Sequence, residues 1–178
     1  MENIVKVLES GSSEEKIKIL ETLDKTDNPE VLEKIISKLD DDDIKVRGEA
    51  FSSLVLNKNK ISDFLIQNLN STSKNIRGFA ALALANRNET VAIPNITKLA
   101  RDERSMVRSC AIGALNHLKA KEAKDIFLDS VLDTNVEVRK SALQGIINLK
   151  FPISQERIKE ISKDADSELL KMLAKLKK

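Results

Sequence analysis

A short pattern recurs along the chain at a nearly constant interval. Val46-Arg47 with Ala50 and Leu54 returns as Ile76-Arg77 with Ala80 and Leu84, as Val107-Arg108 with Ala111 and Leu115, and as Val138-Arg139 with Ala142 and Ile146. The four arginines stand 30, 31 and 31 residues apart. Fainter copies flank them, Lys16 with Ile19 and Leu23, and Leu170-Lys171 with Ala174. One globular core built from unrelated elements has no reason to keep such a period. A stack of copies of one supersecondary unit does, because each copy must bury the face of the one before it.

Inside each copy the apolar residues fall three and four apart, the spacing of one helix face. Val31, Leu32, Ile35, Ile36 and Leu39 mark a first helix; the run Asp40–Asp43 breaks it; Val46, Ala50, Ser53, Leu54 and Asn57 mark a second. Asp favours helix starts, where its side chain accepts backbone N–H groups and meets the positive end of the dipole. The same reading predicts helix pairs around the turns Ser71–Ser73, Asp102–Arg104 and Asp133–Asn135, with Thr90, Val91, Ile93, Ile96 and Leu99 in the first helix of the fourth pair. Ser12 with Glu15 and Thr134 with Glu137 have capping-box spacing. Six hairpins and about twelve helices result, all α, with Val46, Ile76, Val107 and Val138 in the core. The span 1–178 reads as a single array whose Lys- and Glu-rich end hairpins cap it.

The core must be aliphatic, since the chain has no Trp, no Tyr and five Phe. Thirty Lys and Arg against 28 Asp and Glu leave a net charge of +2, which argues against a nucleic acid or an anionic membrane as partner. The single Cys110 excludes an internal disulfide and a cysteine-built zinc site. With no long apolar run and no signal-like start, a cytoplasmic protein is expected.

At Val-Arg-x-x-Ala preceded by an acidic turn, the chain resembles the HEAT-like repeat family, and within it the type of about 31 residues first described in phycobilisome lyases. The match runs through Asp41…Val46-Arg47…Ala50, Asp102…Val107-Arg108…Ala111 and Asp133…Val138-Arg139…Ala142, while Ser71 takes the acidic place before Ile76-Arg77. The resemblance implies a right-handed α-solenoid of about six antiparallel helix pairs. It also implies that Asp41, Asp102 and Asp133 with Arg47, Arg77, Arg108 and Arg139 bond between neighbouring repeats. Physical reading agrees: an arginine at the edge of the apolar stripe lays its stem on the core and offers its head to an aspartate or a helix-end carbonyl. A phosphate-binding arginine row is the alternative. The placement of every arginine in the fold-defining register favours the structural role.

No catalytic constellation can be assembled. His117 is the only histidine and is followed by Leu118, whereas the similar repeat-built deoxyhypusine hydroxylases need several His-Glu pairs. No metal site and no cofactor are expected, and Asp40–Asp43 lacks the spaced ligands of a calcium loop. Helical projection instead puts small, neutral or apolar residues on the outer face of the second helices, the expected concave face. Leu82 and Gln144 fall five residues beyond their arginines; Asn86, His117 and Asn148 fall nine beyond theirs. Charge depletion there suits a protein partner. The expected function is therefore a non-catalytic scaffold that binds another protein through Leu82, Asn86, His117, Gln144 and Asn148. The alternatives are an accessory lyase-type subunit acting on a tetrapyrrole-bearing protein, and a nucleic-acid-binding array.

Overall fold

A computed structural model describes residues 2–177, with side chains from 3 to 176. Among the described residues all regular structure is helical, in two compact units that divide between Ala92 and Ile93. The amino-terminal unit holds α1 (Glu2–Ser10), α2 (Ser13–Leu20), α3 (Pro29–Ser37), α4 (Ile44–Leu56), α5 (Ser62–Asn68) and α6 (Lys74–Asn86). The carboxy-terminal unit holds α7 (Ile93–Leu99), α8 (Ser105–His117), α9 (Lys124–Ser130), α10 (Val136–Leu149), α11 (Gln155–Lys163) and α12 (Ser167–Ala174). Short 3-10 turns occupy Lys38–Asp40, Thr90–Ala92, Lys121–Ala123 and Lys175–Lys177.

Local sequence explains where the helices begin. Ser12 and Glu15 form a reciprocal capping box on α2. Asn28 caps α3 ahead of Pro29, whose missing N–H would have had no helical partner. Asp43, Ser73, Ser154 and Asp166 each accept a first-turn N–H of the helix they open. At α10 the expectation of Thr134 is corrected: Asn135 is the cap and accepts the N–H groups of both Glu137 and Val138. Asn leads Thr as a capping residue, and starting at Asn135 adds no length to the turn.

Three second helices end alike. Asn88, Lys119 and Lys150 take left-handed backbone, with φ of 58°, 54° and 57°. Past them, the N–H groups of Glu89, Ala120 and Phe151 return to the carbonyls of Leu84, Leu115 and Ile146. This double-bonded helix end satisfies carbonyls that the last turn would otherwise strand.

Val46, Ala50, Leu54, Ala80 and Leu84 are fully buried in the amino-terminal unit; Val107, Ala111, Leu115, Val138, Ala142 and Ile146 are fully buried in the carboxy-terminal one. Ile76 departs from expectation and is only half-buried. Helix α6 packs through Ala80, Ala81, Ala83, Leu84 and Ala85, so its burial lies beyond its first turn. Val91 is 67% exposed. It lies in the 3-10 turn Thr90–Ala92, whose period of three carries it off the α-helical stripe.

The largest fully buried side chain, Phe127 of α9, lies against Gly145 of α10 and meets the Phe151 ring at a tilt of 51°, with centroids 5.7 Å apart. A Cβ at position 145 would come to 2.5 Å from Phe127 Cδ1 and closer still to Cε1, a clash, whereas one at Gly113 of α8 would meet nothing within 4 Å. Gly145→Ala should therefore destabilise the fold by about 1–3 kcal/mol through overpacking. Gly113→Ala should stabilise it by about 0.5–1 kcal/mol through helix propensity. Thermal unfolding of both variants checks the pair; equal shifts would contradict the packing described.

Candidate partner-binding surface

The surface of the second helices is held in place by bonds at both helix ends. At the amino-terminal ends, each repeat arginine folds back over its own turn. Arg47 Nη1 donates to the carbonyls of Asp41 and Asp42 at 2.7 and 3.2 Å, and Arg77 Nη1 to those of Ser71 and Thr72 at 2.8 and 3.1 Å. Arg108 Nη1 bonds those of Asp102 and Glu103 at 2.9 and 3.2 Å, and Arg139 Nη1 that of Asp133 at 3.0 Å. The residue six before the arginine closes the same turn from the other side. Asp41, Asp102 and Asp133 each accept the backbone N–H two residues on, at 3.1, 2.9 and 2.8 Å, and Ser71 Oγ does so at 3.2 Å.

The donors left over reach the next hairpin. Arg108 grips Asp133 with a fork, Nε to Oδ2 at 2.7 Å and Nη2 to Oδ1 at 2.8 Å. Arg139 Nη2 reaches the Asp164 carbonyl at 3.1 Å, and Lys16 Nζ reaches Asp41 Oδ2 at 2.9 Å. Ser71 keeps the turn bond of an aspartate but cannot act as a counter-ion. Among the described residues Arg47 makes no ion pair.

The opposite helix ends carry a bond set that the repeat pattern did not flag. Buried Asn57 donates to the Thr26 carbonyl at 2.8 Å and Asn59 to that of Lys25 at 2.8 Å. Arg87 then donates to the carbonyls of Leu54, Asn57 and Asn59. It ties the end of α6 to the orphan carbonyls at the end of α4.

Between these ends each unit presents its own second-helix face, and the two faces differ. In the amino-terminal unit, Leu82 helps line a cleft of about 320 Å³ with Ile44, Arg47, Gly48, Phe51 and Phe79. The two Phe rings stand 6.3 Å apart, and Ile44 is 72% exposed at the rim. Asn86 is exposed and donates to the Leu82 carbonyl at 2.8 Å. Phe51, Phe79 and Ile44 escaped the helical projection, which picked Leu82 on this face; their signal was the apolar spacing of seven between Ile44 and Phe51. Ala85, between Leu82 and Asn86 in the chain, is buried.

In the carboxy-terminal unit the corresponding face is polar. Gln144 Nε2 donates to Asn148 Oδ1 at 2.7 Å, Asn148 Nδ2 to Asn116 Oδ1 at 3.3 Å, and Ser109 and Ser141 share a bond at 3.0 Å. His117 is exposed at the end of α8, and the space above Gly113 is open. Cys110 is half-buried beside Met106, with its thiol pushed up to about 11 by burial. Among the described residues no group of three or more His, Cys, Asp or Glu is placed to hold a metal ion. Among the described residues no helix is long and apolar enough to cross a membrane.

Burial by itself raises the Asp133 carboxyl. The Arg108 fork, the Asn135 N–H and the Arg108 charge outweigh it and hold the group below the usual carboxylate range. Asp41 is held low in the same way, by Lys16, the Asp43 N–H and Lys38. A carboxyl depressed in the fold contributes stability that is present above its unfolded value, near 3.9, and is lost as pH falls through the folded value. Asp133→Asn should therefore lower Tm at neutral pH and flatten the loss of stability below about pH 4. Arg108→Ala, which strands a largely buried carboxylate, should destabilise the fold by about 1–3 kcal/mol. Thermal unfolding across pH checks both; an unchanged acid limb in Asp133→Asn would contradict the linkage.

Residues 62–147 match the family model described as HEAT repeats. The epoxyqueuosine reductase of Staphylococcus aureus (strain NCTC 8325 / PS 47) is 35% identical over 74 residues, covering 41% of this chain and 20% of that enzyme. The chain thus spans about a fifth of the length of the curated relative it matches. Among solved structures, the complex of CpcE and CpcF of phycocyanin lyase from Nostoc sp. PCC7120 aligns with a TM-score of 0.70 and 18% identity, over 85% of this chain and 100% of that one. A designed armadillo repeat protein in complex with the peptide (KR)4 aligns with a TM-score of 0.55 and 18% identity, over 98% and 96%. At these identities the likeness shows the fold, that of the helical-repeat solenoids. Residues 62–147 are thus similar to HEAT repeats, and the fold is that of an all-α solenoid.

Proposed function

We propose that this chain is a non-catalytic scaffold that binds another protein across its second helices. The observation that carries the reading is the chemistry of that surface. In a chain one-third charged, the outer faces of α4 and α6 offer an apolar cleft, and those of α8 and α10 offer amides, hydroxyls and an open glycine. Such charge-poor surface favours a protein partner over a polyanion. The cations nearest the turns support this, because Lys16, Arg108 and Lys140 already face carboxylates. The similar structures support it as well: one is a complex of CpcE and CpcF, and another is in complex with a peptide. A lyase-type role rests on fold likeness alone, and Cys110, protonated at neutral pH, offers it no ready nucleophile.

Leu82, Asn86, His117, Gln144 and Asn148 are the proposed contacts, and the arginine–aspartate bonds are the proposed framework that fixes them. Glu introduced at Gln144 or His117 should abolish partner binding by placing an unpaired charge in the interface. Changes at Lys34 or Lys124 on first helices should leave it intact. The partner is first isolated from native extract and identified by mass spectrometry; binding of each variant is then measured after circular dichroism confirms folding. Normal binding by Gln144→Glu and His117→Glu, with loss in the Lys34 and Lys124 variants, would move the interface to the first helices.

A further inference from the structure

We infer that the cleft between α4 and α6 receives an acidic, amphipathic segment of the partner protein, with a large apolar side chain over Gly48 and a neighbouring carboxylate on Arg47. The inference rests on the scaffold reading and names the class of segment it would bind. Five of the six lining residues, Ile44, Gly48, Phe51, Phe79 and Leu82, present apolar surface, and Arg47 is the single charged one. The floor is open, since a Cβ on Gly48 would meet nothing within 4 Å.

Arg47 sets the polarity of the occupant. Its Nη1 is spent on the Asp41 and Asp42 carbonyls. In Arg108 the remaining Nε and Nη2 grip Asp133; in Arg47 the equivalent position in the next turn is Ser71, and no carboxylate fills the fork. Of the acids nearby in sequence, Asp40 bonds Asn75, Asp41 bonds Lys16 and Lys38, and Asp43 accepts the Lys45 N–H; among the described residues neither these nor Asp42 and Glu49 pair with Arg47. A purely apolar segment laid over the cleft would strip water from the guanidinium and give its Nε and Nη2 donors no acceptor. A basic segment would add like-charge repulsion. A carboxylate matches the fork geometrically, as Asp133 does for Arg108.

Two substitutions separate binding from folding. Gly48→Leu fills the cleft from an open position and improves helix propensity. Ser71→Asp supplies the missing internal counter-ion while keeping an acceptor for the Ser73 N–H. Both variants should unfold at the same temperature as the parent chain or higher. The probe is a phage-displayed library of random dodecapeptides selected on the full chain. Enriched peptides should pair Asp or Glu with Phe, Leu, Ile or Trp, and each variant should weaken them by about tenfold or more in fluorescence anisotropy. Enriched peptides that lack acidic residues, or that bind both variants as tightly as the parent, overturn the inference. If such peptides instead lose affinity for Gln144→Glu, the scaffold reading stands and only the cleft assignment falls. Failure to enrich any peptide on the folded chain overturns both.

Discussion

The fold depends on how its turns close. A turn between two packed helices leaves carbonyls and N–H groups without helical partners, and each one buried unpaired would cost about 1–3 kcal/mol. Here one side chain before the turn and one after it divide the task. Asp41, Asp102 or Asp133 accepts the N–H two residues on, and the arginine six residues later donates to the carbonyls. Once the arginine head is fixed there, its stem lies along the helix and its remaining donors are aimed at the next hairpin. The bond that closes a turn thus also orients the link to the next repeat, which is why Val-Arg-x-x-Ala recurs as a block.

Much of this was legible in the sequence because it recurs. The period gave the helix pairs, the caps Ser12 and Asp43, and the buried Val46, Val107 and Val138. Features lying outside the block were not legible. Lys119 and Lys150 take left-handed backbone, yet lysine carries no preference for it that a reader could use. The pairing of Arg87 with the end of α4 joins two helix ends 30 residues apart, and no equivalent arginine follows the other second helices to mark it. Asn135 displaced Thr134 as a cap by a single position, a margin that spacing cannot resolve.

The candidate surface was half-legible for a related reason. Projection from each arginine finds which positions share a side of the helix, and it found Leu82, Asn86, Gln144 and Asn148. It cannot say whether an outward residue stands clear or leans on the neighbouring helix. Phe51 and Phe79 lean together into a cleft, Ala85 is covered, and Gln144, Asn148 and Asn116 are tied into one chain of amides. Those outcomes follow from inter-helix distance, a quantity absent from any single repeat.

The glycines show how one architecture supports different surfaces. Gly145 is fixed by packing, since the Phe127 ring occupies the space of its side chain. Gly48 and Gly113 lie in comparable second helices with nothing above them, so packing gives no reason for either, and each weakens its helix relative to alanine. A helix that keeps glycine at a solvent-facing position gains room in return, above an apolar floor in α4 and beside a polar row in α8. Ser71 has the same character: it preserves the turn and gives up the ion pair that Asp133 makes. Where the repeat departs from its own rule without a packing cause, it leaves space or an unmatched charge on the outside, and both departures in the amino-terminal unit concern α4, the helix that carries Arg47.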